Sequence, residues 1–148
     1  KIRLITNGSL VRHTHVQRGI ARIGELGGEV WFKIDRGSAS EMFRVNGTRT
    51  TPARVRKAIS TCARLAPTWV QTCLFGWDGV VPTQAFIDAY VDLLKMAGTA
   101  ALCGVHLYGV ARQSFQPEAV HLQRLEPDEL EGIANILKDE GLTVTVSP

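Results

Sequence analysis

Cysteine is scarce and poorly placed for cross-linking. Cys62, Cys73 and Cys103 are an odd number and lie far apart. They do not suit a disulfide framework, so a reducing compartment and a cytoplasmic location are expected. No pair has the close spacing of a zinc or iron–sulfur site, so no metal site is expected from them. No apolar run approaches the ~18–20 residues that span a bilayer, and no secretory leader pattern opens the sequence. Neither sign of charge dominates: 17 Lys+Arg face 14 Asp+Glu, a formal +3. With no basic cluster and no interleaved aromatics, neither nucleic acid nor membrane is an expected partner. Glycine-rich phosphate loops of the GxGxxG or GxxxxGK[ST] kind are also missing, which weighs against a nucleotide fold. His13-x-His15 lacks a third ligand in register.

What remains is ordinary globular composition, with 45% hydrophobic and 21% charged residues over 148 positions. This is the size of a single domain, residues 1–148, or of a piece of one. Ile2–Thr6 is β-prone and stops at Asn7-Gly8. Val16, Ile20, Ile23 and Leu26 recur at helical spacing, and Gly27-Gly28 ends that helix. Glu29–Asp35 alternates as a strand, and a short helical turn covers Glu41–Val45. Thr51-Pro52 starts the next helix, with Val55, Ile59, Cys62 and Leu65 as its stripe. Strands follow at Thr68–Phe75, Leu102–Val110 and Leu142–Val146, separated by helices over Thr83–Met96 and Pro127–Glu140. Strand–helix alternation at this spacing predicts an α/β fold with about five parallel strands joined by right-handed crossovers.

The strand faces favour one version of that fold. Val30, Phe32 and Ile34 share one side of the second strand, whereas Trp31, Lys33 and Asp35 share the other. Gln71 pairs with Cys73, and His106 with Tyr108, in the same way. A doubly wound sheet is apolar on both faces, but a barrel wall has one mixed polar face turned to a lumen. The expected architecture is therefore a parallel (β/α) partial barrel of the TIM type.

Ligands of such folds collect at the carboxyl ends of the strands. Those ends carry Thr6, Asn7 and Gly8, then Lys33 and Asp35, then Asp78 with Trp77, and finally Tyr108 and Arg112. Lys33 and Asp35 point to one side and can hold a zwitterion, or form a salt bridge with each other. Asn7 can hydrogen-bond a ligand or end a strand in a turn. Asp78 can face a substrate or shape a tight loop, and Arg112 can meet an anion or a rim carboxylate. His106 can act as a base or fill the wall, and Gln71 faces the same side.

These segments resemble, in order and spacing, the later strands of the radical S-adenosylmethionine (radical SAM) superfamily. The resemblance rests on ITNGSLV (Ile5–Val11), EVWFKIDRGS (Glu29–Ser38), VQTCLFGWDG (Val70–Gly79) and LYGVARQSFQPEA (Leu107–Ala119). It implies an oxidoreductase-like parent enzyme in which S-adenosylmethionine lies across the strand ends. Thr6, Asn7 and Gly8 match a Thr-Asn-Gly strand end that meets the cofactor. Lys33 and Asp35 match the position that holds its ribose hydroxyls and methionine carboxylate. Gln71, Asp78, His106, Tyr108 and Arg112 would lie on the side of a small-molecule or peptide substrate.

Some family features are missing. The Cys-x3-Cys-x2-Cys loop that holds a [4Fe–4S] cluster has no match here. Gly27-Gly28-Glu29 imitates a cofactor-binding triplet but precedes a strand instead of following one. The resemblance implies that the cluster ligands belong to a full-length parent, upstream of Lys1, and that these 148 residues alone are inactive. Substitutions at Lys33 and Asp35 should then weaken cofactor binding and spare the fold. An exposed edge at Ile2–Thr6 would also invite self-association. Two other readings are a non-catalytic α/β module for a small anionic ligand, and a cluster-free barrel enzyme using Lys33 as a base or imine former.

Overall fold

A computed structural model describes residues 1–112 and 114–147. Five parallel strands form its main sheet: β1 (Arg3–Thr6), β2 (Glu29–Lys33), β3 (Thr68–Cys73), β5 (Gly104–Tyr108) and β7 (Val144–Ser147). They lie side by side in chain order, β1-β2-β3-β5-β7. Five α-helices connect them: α1 (Thr14–Glu25), α2 (Ala39–Asn46), α3 (Pro52–Leu65), α4 (Gln84–Ala97) and α5 (Pro127–Asp139).

Right-handed crossovers between strands added always on the same side put the connecting helices on one face of the sheet. Burial follows that rule. Val30, Phe32, Val70, Val105 and Leu107 are at most 1% exposed, beneath α1, α3, α4 and α5. The alternate residues Trp31, Lys33, Trp69, Gln71, Cys73, His106 and Tyr108 are only half-buried on the opposite face. The mixed polar face expected from the sequence is thus an open face of the sheet.

Local chemistry accounts for the helix boundaries. Thr51 accepts a hydrogen bond from the Arg54 N–H (3.3 Å), with Pro52 in the first turn. Thr83 does the same for Phe86 at the start of α4 (3.3 Å). At α5 the Glu129 carboxylate reaches back to the Glu126 N–H (2.8 Å). Gly37 runs against α4 so closely that a Cβ would overlap the Ala89 and Tyr90 backbone. That approach fixes how the chain leaves β2.

One element was not expected. Gly76–Trp77 (β4) and Leu122–Gln123 (β6) form a two-stranded antiparallel ribbon above the carboxyl ends of the main strands. It staples the β3–α4 connection to the long segment after β5, which the sequence reading treats as loop. Two-residue strands show no periodicity, so nothing in the sequence pattern announces them.

At the opposite end of the sheet, Glu29 is only 6% exposed and ties down the start of β2. It receives Lys1 (2.6 Å), Arg3 (2.8 Å) and the Trp31 indole N–H (3.0 Å). These bonds, chiefly those from Lys1 and Arg3, lower its carboxyl to about 2 against a smaller opposing effect of burial. A depressed folded pKa gives stability that is present above the ordinary glutamate range and is lost as pH falls through it. The cationic partners are more than half exposed, which cuts the contribution to on the order of 1 kcal/mol. Glu29→Gln should therefore cost about 1 kcal/mol at pH 7 in urea unfolding. The difference from wild type should shrink from about pH 4.5 downward and vanish near pH 2.

Candidate functional site

β2 ends at Lys33, and two residues later the chain has turned Asp35 back beneath its neighbours. The Asp35 carboxylate, 5% exposed, accepts hydrogen bonds from the Lys33 ammonium (2.8 and 3.0 Å) and from the Cys73 N–H (2.8 Å). The side chain thus joins the end of β2 to the end of β3. Lys33 also donates to the Tyr108 hydroxyl from β5 (2.9 Å). Three strands converge on one ammonium–carboxylate pair.

The electrostatics fix the protonation states. Burial works against the charge of Lys33, but the Asp35 carboxylate and the hydrogen bonds to Asp35 and Tyr108 outweigh it, so Lys33 titrates above its ordinary range. Burial likewise raises Tyr108, partly offset by the bond from Lys33. Burial pushes the Cys73 thiol up to about 11, with nearby Asp35 adding to the effect. At neutral pH the site presents an ammonium, a phenol and a thiol. It can bind an anion or a zwitterion, while the charged Lys33 amine and the protonated Cys73 thiol are not ready nucleophiles. The imine-forming role for Lys33 fits this arrangement poorly.

The other candidates divide by position. Gln71 lies beside Lys33 and His106 in register, on the same open face. The His106 ring stacks on Trp69 (4.3 Å between centroids), tilts against Trp31 (4.7 Å) and bonds Thr145 through Nδ1. Burial lowers its pKa, so it is neutral at pH 7. Thr6 aligns with Phe32, whose side chain faces the helices, and its hydroxyl accepts from the Gly8 N–H (3.1 Å). The Asn7 side chain accepts from the Ser9 N–H (3.1 Å), and Gly8 has a positive φ of 74°. A Cβ on Gly8 would strike the Phe32 ring. The Thr6–Gly8 segment therefore builds a local turn one strand away from Lys33.

Asp78 and Arg112 lie farther out. Asp78, at φ 51°, and Gly79, at φ 78°, form the two-residue turn closed by Trp77 and Val80. The Asp78 carboxylate bonds His121 Nδ1 at 2.6 Å. Arg112 is exposed and lines a separate concavity with Arg124.

Sequence reasoning overlooked Arg36. It is only 3% exposed, directly after Asp35, and its guanidinium sits over the Phe75 ring (4.1 Å) and the Phe86 ring (5.1 Å). Nη1 donates to the Asp35 carbonyl (2.7 Å) and the Cys73 carbonyl (3.4 Å). An arginine past a strand end reads as a rim charge, and only the tertiary fold shows it buried.

The residues present do not fit an iron–sulfur cluster. Among the described residues, no three His, Cys, Asp or Glu side chains gather as a metal site. Cys62 lies fully buried on α3 within the apolar core. Lys33 and Tyr108 place hydrogen-bond donors beside the Asp35 anion, where a ligand carboxylate could meet them. Among the described residues, no helix is long and apolar enough to cross a membrane.

No family model matches the chain, and no curated protein matches it either. Among solved structures, a radical SAM methyltransferase from Sphaerobacter thermophilus superposes on 99% of the chain with a TM-score of 0.62 and 18% identity. The chain spans 40% of that protein's length. An amidohydrolase from Burkholderia multivorans covers 92% of the chain and 54% of its own, at TM-score 0.42 and 15% identity, which is too loose to bear on the fold. The first likeness shows a shared fold, that of the matched 40% of that protein.

The bonds to Asp35 bear on one expectation. The sequence reading has substitutions at Lys33 and Asp35 spare the fold, whereas the buried Asp35 carboxylate is bonded to both Lys33 and the Cys73 backbone. Substitutions there should affect the fold itself. Asp35→Asn and Lys33→Met should each lower unfolding stability by about 1–3 kcal/mol, the cost of leaving a buried group underpaired. The double variant should lose less than the sum, by at least about 0.5 kcal/mol. Additive, near-zero losses in chemical denaturation would show instead that the pair is free for a ligand.

Proposed function

We propose that this chain is one wall of a radical SAM-type (β/α) barrel, and that the Lys33 end of its open face holds S-adenosylmethionine. The observation that carries this reading is the Lys33–Asp35–Tyr108 cluster. It lies on the uncovered face of a sheet at the carboxyl ends of three strands, where folds of this kind collect ligands. The fold shared with a radical SAM methyltransferase supports it.

In this reading the methionine carboxylate of the cofactor meets the Lys33 ammonium and the Tyr108 hydroxyl. Tyr108 accepts from Lys33, so its own proton is available to donate. Asp35 keeps Lys33 charged and oriented, and the aromatic row of Trp31, Trp69 and His106 forms the apolar floor of the open face. When bound, S-adenosylmethionine would supply a 5′-deoxyadenosyl radical, with methionine released, on reductive cleavage by one electron. The cluster that delivers the electron belongs to other parts of the parent protein, so the chain alone binds without turning over. Among the described residues no strand pairs with the outer edge of β1, and Ile2 and Ile5 are about half exposed, a surface suited to further β/α units or a second copy. Sedimentation of the isolated chain should accordingly show association that grows with concentration; a monomer at all concentrations counts against the unpaired edge.

Titrating S-adenosylmethionine into the chain by calorimetry tests the binding. Lys33→Met and Tyr108→Phe should each weaken it about ten- to a hundredfold, the loss of a charge-assisted hydrogen bond. Absence of binding to wild type at millimolar cofactor, or equal binding by both variants, overturns the reading. Equal binding of inorganic phosphate and of S-adenosylmethionine would favour the small-anion module.

A further inference from the structure

Asp35 and Arg36 are adjacent, yet their side chains serve opposite sides of the β2 end. Asp35 belongs to the open face. Arg36 lines a separate cleft of about 460 Å³ between the β2–α2 segment and the β3–α4 connection, with Glu41, Arg44, Phe75, Trp77 and Phe86. Lys33, Gln71, His106 and Tyr108 are not among its walls. The volume is that of a small-molecule site.

Charge in this cleft is incompletely matched. Arg36 Nε is buried and has no hydrogen-bond partner. Glu41 is the nearest anion, but its carboxylate lies 3.6 Å from Arg36 Nε and 3.5 Å from Arg44 Nη1, too far to bond either well. One carboxylate is stretched between two guanidinium groups. The first turn of α4 lines the same cleft through Thr83, Ala85 and Phe86 and adds the partial positive charge of a helix start. An underpaired buried guanidinium is costly, and a better-placed anion would satisfy it.

The walls select what carries that anion. Phe75 and Phe86 flank Arg36, and the Trp77 ring lies 5.1 Å from the Arg44 guanidinium. Trp77 is in turn held by stacking on His121 (5.2 Å, 10° between planes) and by the β4–β6 ribbon. Flat, rigid faces of this kind favour a flat apolar body.

We infer that this cleft binds a small planar aromatic carboxylate, with the ligand carboxylate taking the place of Glu41 between Arg36 and Arg44. Glu41 is part-exposed on the first turn of α2 and can turn to solvent as the ligand enters. In the free protein it stands in for the missing anion. The site is independent of cofactor binding at Lys33.

2-Naphthoate is the probe, followed by calorimetry and by the Trp77 indole N–H signal in NMR. Its uncharged amide, 2-naphthamide, should bind at least tenfold more weakly, and so should cyclohexanecarboxylate, which keeps the charge and loses the plane. Arg44→Gln should weaken 2-naphthoate binding about tenfold, the lower end expected for a charge-assisted bond. Glu41→Gln should strengthen it severalfold, because the competing carboxylate is gone. Gln71→Ala, on the open face and outside the cleft walls, should leave it unchanged, which separates this site from the one on the open face. Arg36→Lys keeps the charge but loses the planar fork, and should weaken binding if its circular dichroism remains native. Absence of 2-naphthoate binding at millimolar concentration overturns the inference. Equal binding of the amide, or weaker binding by Glu41→Gln, also overturns it.

Discussion

The order of the strands constrains everything else in this molecule. Because β1, β2, β3, β5 and β7 are laid down in one direction, right-handed crossovers have only one face on which to put their helices. A sheet that reversed its order would be covered on both sides and would bind at the point of reversal. Among the described residues the order does not reverse, so one face is core and the other stays open. The polar and aromatic residues at alternate positions of β2, β3 and β5 are then a surface rather than a burial problem.

The pleat divides the strand ends in the same way. Beyond Lys33 the chain turns so that Asp35 bonds the open-face cluster while Arg36 packs between Phe75 and Phe86 on the other side. Gly37 makes that turn possible by letting the backbone press against α4. Three consecutive residues thus supply an anion for one site, a cation for another and the clearance both need. The Cys73 backbone completes the arrangement: its N–H goes to Asp35 and its carbonyl takes the longer bond from Arg36.

Much of the fold is legible in the sequence because periodicity and end signals are local. Thr51-Pro52 caps α3 as its residue types predict, and the alternation of Glu29–Asp35 assigns the faces of β2 correctly through Lys33. Helix ends agree to within a residue or two at α4 and α5. The site is less legible. Lys33 and Asp35 can be paired from their spacing, but Tyr108 joins them only because β5 lies next to β3, and the Cys73 N–H joins only because of register. Arg36 carries no local mark that separates a buried guanidinium from a rim one. The β4–β6 ribbon is too short for any periodic signal, although it holds Trp77 against the cleft.

The open face and the cleft handle charge differently, and that difference bears on how each can work. At Lys33 the ammonium has a carboxylate at hydrogen-bond distance, so an incoming anion gains only what a neutral pair and a phenol still offer. Neutral pairs of this kind orient a ligand more than they attract it. At Arg36 the nearest carboxylate stands off by 3.6 Å, and the buried guanidinium retains an unused donor. An anion that reaches it replaces a poor contact with a good one at little cost in new burial, since Arg36 is already desolvated by Phe75 and Phe86. On the two proposed readings, attraction belongs to the cleft and orientation to the open face, with the chain segment from Lys33 to Gly37 contributing to both.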